Sequence, residues 1–360
     1  MKILDRYLIK QFSQTILFAL LVFMTIFVVI DLMEKMDDFI DHNVPFEYII
    51  KYYIVFIPDI LKLMLPVAVL LACLFTVGKM STQNELAAIK SSGVSFYRYM
   101  MPFLFVAFVI SILAIYFGGY VVPIANKEKI YIERVYMEKG GSDNDNNVFF
   151  QDDTTRIVTI AFYNTKLNSA SRISIQKFDI DNINHMTSRI DAPKMLYDTV
   201  STTWNIIDGI KRDFTDSGEV YLNFDTLNVA YLNFSPNDII RKQQKPSELT
   251  LPELKIFAAD LARSGNNPIA ILIEYHSRFA FGFACIVVIL FGLPLSANNR
   301  KGGLALQFGL NLAITFLYLV FMKVSQALGK NGSVSPVITA WLANGIFLAA
   351  AILNIIRARK

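Results

Sequence analysis

Five stretches of this chain, residues 11–30, 99–126, 279–299, 302–322 and 331–356, run for twenty residues or more without one charged side chain. A sixth, residues 52–77, is equally apolar but carries Asp59 and Lys62 one helical turn apart. Roughly twenty apolar residues in a helix cross the hydrocarbon of a bilayer. The chain therefore predicts six transmembrane helices, three at each end. A composition 54% hydrophobic and only 18% charged excludes a disordered chain and most soluble enzymes.

The first helix follows Lys2, Arg6 and Lys10, but its apolar run is too long for a cleaved leader and no small-residue cleavage site follows. It is expected to remain as an anchor. Flanking charge sets the orientation. Segments 1–12, 78–98, 296–303 and 356–360 hold eleven basic residues against Asp5 and Glu85 alone. The loop 34–51 on the other side has five acidic residues and only Lys35 and Lys51. Both termini are thus expected in the cytoplasm.

Between the third and fourth helices the pattern changes. Residues 156–163, 172–178, 202–207, 210–214 and 220–234 alternate apolar with polar and are rich in β-branched and aromatic residues, as half-buried strands are. Asp208-Gly209 reads as a two-residue hairpin turn, and 140–147 as a polar loop. A sandwich, jelly roll or partly open barrel is expected. Residues from Ser247 to Ser264 read as a connecting helix starting at Ser247. The expected organisation is transmembrane helices over 1–126, an all-β extracytoplasmic domain over 127–246, a connecting helix and linker over 247–272, and transmembrane helices over 273–360. The insert 127–272 has 17 basic and 20 acidic residues, which argues against a nucleic-acid reader.

Chemistry-bearing motifs are scarce. Cys73 and Cys285 lie inside apolar runs and His42, His185 and His276 are scattered, so neither a disulfide framework nor a metal cluster is expected. The chain has no G-x-x-x-x-G-K-[ST], G-x-S-x-G or H-E-x-x-H pattern, so no bound cofactor and no catalysis of its own are expected. The loop after the second span is more informative. Ser81 or Thr82 as cap, Glu85 near the third position, Leu86 and Ile89 as apolar residues and Gly93 as stop predict a short helix over about 81–93.

Glu85-Leu-Ala-Ala-Ile-Lys-Ser-Ser-Gly93, after a span containing Pro58 and Pro66, resembles the E-L-x-A-x-[KR]-[AS]-[AS]-G loop of the LptF/LptG permeases of lipopolysaccharide-exporting ABC transporters. The resemblance extends to Leu4-Asp-Arg-Tyr7, Ile190-Asp-Ala-Pro, Trp204 with Asp208-Gly209, Ser247-Glu-Leu-Thr-Leu-Pro-Glu-Leu254, Arg278 and Gly292-Leu-Pro-Leu-Ser296. It implies a β-jellyroll insert in the periplasm of an inner-membrane protein. Its implied partners are an LptB-type ATPase dimer that binds ATP and magnesium, a paralogous or identical permease, and an LptC-type periplasmic protein. Glu85, Leu86, Ile89 and Gly93 become the ATPase-coupling element, and Leu4-Asp-Arg-Tyr7 leans toward the LptG branch. Lys35, Lys62, Arg278 and Lys323, with Asp59, become the residues that meet lipopolysaccharide, although Asp31, Glu34, Asp37 and Asp38 stand where LptG-like members are basic. Extraction of another envelope lipid or lipoprotein, or a scaffold or sensor role, are the rival readings.

Overall fold

The computed structural model of the chain describes residues 3–358 except 138–144, 165–166, 181–184, 200, 216–217, 237, 240–244, 264–265, 298–302 and 333. Two compact units result, Met1–Lys129 with Ile269–Lys360, and Ile130–Pro268.

In the first unit the six expected spans are helices. They are α1 (Ile3–Asp41), α2 (Phe46–Thr82), α4 (Phe96–Tyr116), α7 (Ile269–Ala297), α8 (Gly303–Gly329) and α9 (Pro336–Ala358), with a short α3 (Glu85–Ser91) between α2 and α4. At 39 residues α1 is about 58 Å long, nearly twice a bilayer's hydrocarbon. The third span continues past Tyr116 through one π-helical turn, Phe117–Val121, into α5 (Val122–Tyr136). Leu8, Phe12 and Ile16 of α1, Val69 to Met80 of α2, Phe103 and Val106 of α4, and Cys285 and Ile289 of α7 form one core. A second lies among α2, α7, α8 and α9 around Leu74, Val288, Tyr318 and Ala343.

With lipid tails as apolar as leucine, close packing and buried hydrogen bonds hold such helices together. A Cβ on Gly282 of α7 would lie 2.4 Å from Ile115 and 3.1 Å from the Ser111 carbonyl, so α4 and α7 touch backbone to side chain there. Asn344 of α9 joins three helices: its amide donates to the Ala280 carbonyl at 2.8 Å and its oxygen accepts from the Tyr318 hydroxyl.

The second unit carries β1 (Asp145–Asp153), β2 (Arg156–Asn164), β3 (Ser169–Phe178), β4 (Met186–Asp198), β5 (Thr203–Thr215) and β6 (Gly218–Asn228). They form one antiparallel meander in sequence order. Asp208-Gly209 is not a hairpin turn; it lies inside the single strand β5, which pairs with β4 and β6 in the same register before and after it. A turn signal reports only that the backbone reaches positive φ, and Asp208 does so at 55° within the strand. β4 escaped the alternation test because Arg189, Asp191, Pro193 and Lys194 interrupt it, and β1 because Asp145, Asn146 and Asn147 read as loop. Of the expected loop at 140–147, residues 140–144 lie outside the described residues.

Buried positions in four successive strands share one irregularity. Apart from Ser169 beside Ala170 at the start of β3, they are spaced by two along each strand and by three at one point: Ile160 to Tyr163, Ala170 to Ile173, Ala192 to Met195, and Ile206 to Gly209. Registers place these jumps side by side, along a line through Ala161, Arg172, Pro193 and Asp208. Arg172 and Asp208 both have positive φ, and Pro193 has no N–H for the ladder. A transverse crease therefore inverts the pleat, and both arms of the sheet turn apolar side chains to one core around Trp204. Gly209 is required there, because the Phe224 ring lies 2.3 Å from where its Cβ would be. Trp204 is 1% exposed and its indole donates to the Phe234 carbonyl at 2.8 Å.

The connecting helix α6 (Leu251–Arg263) begins later than Ser247. Thr250 is its cap: Glu253 accepts from the Thr250 N–H at 2.8 Å and hydroxyl at 2.7 Å, while Pro246–Glu248 form a separate 3-10 turn.

Candidate functional site

The short helix of the α2–α4 loop is shorter than its expected 81–93. Ser81 and Thr82 belong to the end of α2, where the Thr82 hydroxyl returns to the Lys79 carbonyl at 2.8 Å. Asn84 at φ 58° makes the corner, and α3 starts at Glu85 itself. Gly93, at φ 78°, follows the helix as its stop. Leu86 is 4% exposed inside the core of α1, α2 and α4, and Ile89 packs against that core one turn later. Ala87 and Ala88 face outward. A seven-residue helix has too few hydrogen bonds to stand alone. Two apolar anchors hold it across this end of the bundle.

Sequence reasoning missed what holds Glu85. The Tyr7 hydroxyl of α1 donates to its two carboxylate oxygens at 3.2 and 3.1 Å. Two residues earlier, Asp5 pairs with Arg98 of α4 at 2.7 Å. The two motifs Leu4-Asp-Arg-Tyr7 and Glu85–Gly93 thus meet in space. One signal was available: Asp5 is an acid among Lys2, Arg6 and Lys10 in a turn that orientation alone would leave basic.

Toward the other end of the bundle the ionisable residues divide into two groups. Lys62 of α2 is influenced by the charges of Glu274, Arg278, Asp59 and Lys323 together, so α2, α7 and α8 converge on it. Arg278 is deeply buried and contacts Glu274 at 3.4 Å. Glu274 is half-buried and Lys323 exposed. Gly118, in the π-helical turn, leaves room for the Lys62 stem, whose Cε would lie 3.6 Å from a Cβ there. Three basic and two acidic side chains meet in the cluster, and Glu274 of α7 joins Asp59 as an anionic neighbour of Lys62.

Lys35 is held elsewhere. It pairs with Asp31 at 3.4 Å, donates to the Tyr52 hydroxyl, and lies 4.5 Å from the Tyr52 ring centre and 5.8 Å from that of Phe56. Phe39 packs edge-on to Tyr52 and Tyr53 beside it. Tyr52 and Lys62 are separated by about 15 Å along α2. The structure therefore brings together Asp59, Lys62, Arg278 and Lys323 of the expected lipid residues and places Lys35 in a separate aromatic seat.

The family model described as lipopolysaccharide export system permease LptF/LptG matches residues 6–357. LptF from Escherichia coli K12 is 22% identical over 370 residues, covering 97% of this chain and 93% of that protein, and LptF from Shigella flexneri matches to the same extent. Both relatives are LptF, and they lend no support to the lean toward LptG taken from Leu4-Asp-Arg-Tyr7. With six spans, an inserted β unit and a match along nearly its whole length, the chain belongs to the LptF/LptG family of lipopolysaccharide export permeases.

Proposed function

We propose that the chain is one permease subunit of a transporter that draws lipopolysaccharide out of the inner membrane, driven by ATP hydrolysis on a separate LptB-type dimer. Magnesium and ATP belong to that dimer. Both termini and α3 lie in the cytoplasm, and the β unit lies in the periplasm. The observation that carries this reading is α3: a short helix pinned by Leu86 and Ile89 to the core of three spans, with Glu85 at its first position. A partner that moves α3 moves those spans with it.

The first span is by far the least buried of the six and the fourth the most, with the fifth, close to the third and sixth, between them. That pattern supports a cavity formed between α1 and α8 of this chain and those of a second permease, identical or paralogous. Acyl chains contribute most of the binding, at about 0.8 kcal/mol per buried methylene. Lys62, Arg278 and Lys323 set the position of the headgroup phosphates. In the β unit, β6 is an edge strand among the described residues, with Val220, Tyr221 and Leu222 exposed. Such an edge suits an LptC-type β-domain that continues the lipid path.

Replacing Glu85 with Ala in the complex reconstituted with ATPase and second permease tests the reading. Copurifying ATPase and lipid-stimulated hydrolysis should both fall roughly tenfold, the effect of losing one charged contact. Full retention of both overturns it. Stimulation by another envelope lipid or lipoprotein, and not by lipopolysaccharide, would reassign the cargo.

A further inference from the structure

The end of α1 that meets α3 is built differently from the rest of that helix. Asp5, Leu8, Phe12 and Ile16 are buried there, and Phe39 is buried at the far end. Between them Leu17, Phe18, Leu21, Val22, Ile26 and Val29 are exposed. The first span is clasped at both ends and bare between. At the α3 end the clasp has two polar closures, Tyr7 on Glu85 and Asp5 on Arg98. They tie residues 78 and 93 positions apart in the chain.

A carboxylate has about four lone-pair sites. With one hydroxyl on Glu85 among the described residues, the remaining sites can accept from a cation on another protein without releasing Tyr7. The same carboxylate is then a joint between that protein and α1.

We propose that Tyr7 latches the first span to the coupling helix, while Asp5 on Arg98 of α4 seats the same turn of α1, so that displacement of α3 by the ATPase is delivered to the bare wall of α1. Tyr7 acts through Glu85 and is a positioning residue. This rests on the reading of α3 as the ATPase-coupling element. It adds the route by which the motion reaches the lipid-facing wall: a single 39-residue helix moved at its first turn.

The test uses the full complex in vesicles containing lipopolysaccharide, with Tyr7→Phe, which keeps the ring and removes the hydroxyl, and Tyr7→Phe with Asp5→Asn. Four quantities are measured: copurifying ATPase, hydrolysis rate, lipopolysaccharide moved per ATP, and the nucleotide-dependent distance between spin labels at Val22 of α1 and Ile112 of α4. ATPase binding and hydrolysis should stay within about twofold, while lipid moved per ATP falls roughly tenfold, as for one lost hydrogen bond to a charged group. The label distance should cease to respond to nucleotide. In a chain that keeps Tyr7, Asp5→Asn alone should weaken the response, and exchanging the partners, Asp5→Arg with Arg98→Asp, should restore it. Unchanged lipid per ATP and an unchanged distance response in both variants overturn the latch while Glu85→Ala still uncouples. Loss of ATPase binding in Tyr7→Phe also overturns it, since Tyr7 then serves binding and not transmission. If Glu85→Ala is itself without effect, the coupling reading and the latch fall together.

Discussion

Arg278 and Lys62 are among the few ionisable residues within the apolar spans of the membrane unit. An ionisable side chain at bilayer depth persists when it pairs or faces a polar cavity. Arg278 is 2% exposed in its side chain and takes Glu274 as neighbour at 3.4 Å, long for a hydrogen bond. Replacing Lys62 and Arg278 together with Gln should reduce photocrosslinking of lipopolysaccharide to the cavity at least severalfold, and equal crosslinking would remove these two from the lipid site. The outlier residues of the cluster were legible in the sequence because a charge inside an apolar run is conspicuous. That they share one level of the membrane was legible too, with Glu274 among them; which of them face one another was not, since Glu274 and Lys62 lie more than two hundred positions apart and only packing decides that α7 meets α2 there.

At the scale of the element, legibility followed the length of the signal. Six apolar runs located six helices because twenty consecutive uncharged residues have no other stable use. Helix ends were less legible: α3 starts at Glu85 and α6 after Thr250, both later than the first capping residue available. The largest misreading, Asp208-Gly209, arose because a local turn signal cannot be told from a strand residue with the same φ. At φ 55° a β-branched side chain crowds the following carbonyl, at a cost of about 1–2 kcal/mol. Asp208→Val should therefore lower the urea midpoint of the β unit, and Asp208→Gly should leave it equal or raise it. Tryptophan emission in 127–268 provides the readout, because Trp204 is the single tryptophan of that segment.

The whole molecule consists of two units that meet different solvents. Lipid surrounds one, where Asn344 and close glycine contacts replace the hydrophobic effect between helices. The other has a core of its own centred on Trp204, Ile206 and Met195. Residues 130–268, produced alone, should accordingly give a soluble β protein with blue-shifted tryptophan emission and one cooperative unfolding transition. Red-shifted emission from the native fragment would show that this core depends on the spans.

The crease across the meander limits how such a sheet can vary. One residue inserted into any of β2 to β5 between its arms would move that strand's inversion out of line with its neighbours. Every side chain beyond the insertion would then exchange core for solvent. Added residues are thus admissible only in the turns, and the arms change length only if neighbouring strands change together. The sheet behaves as a woven panel whose fold line is shared by its threads, and the spacing of Arg172, Pro193 and Asp208 in the chain is the record of that constraint.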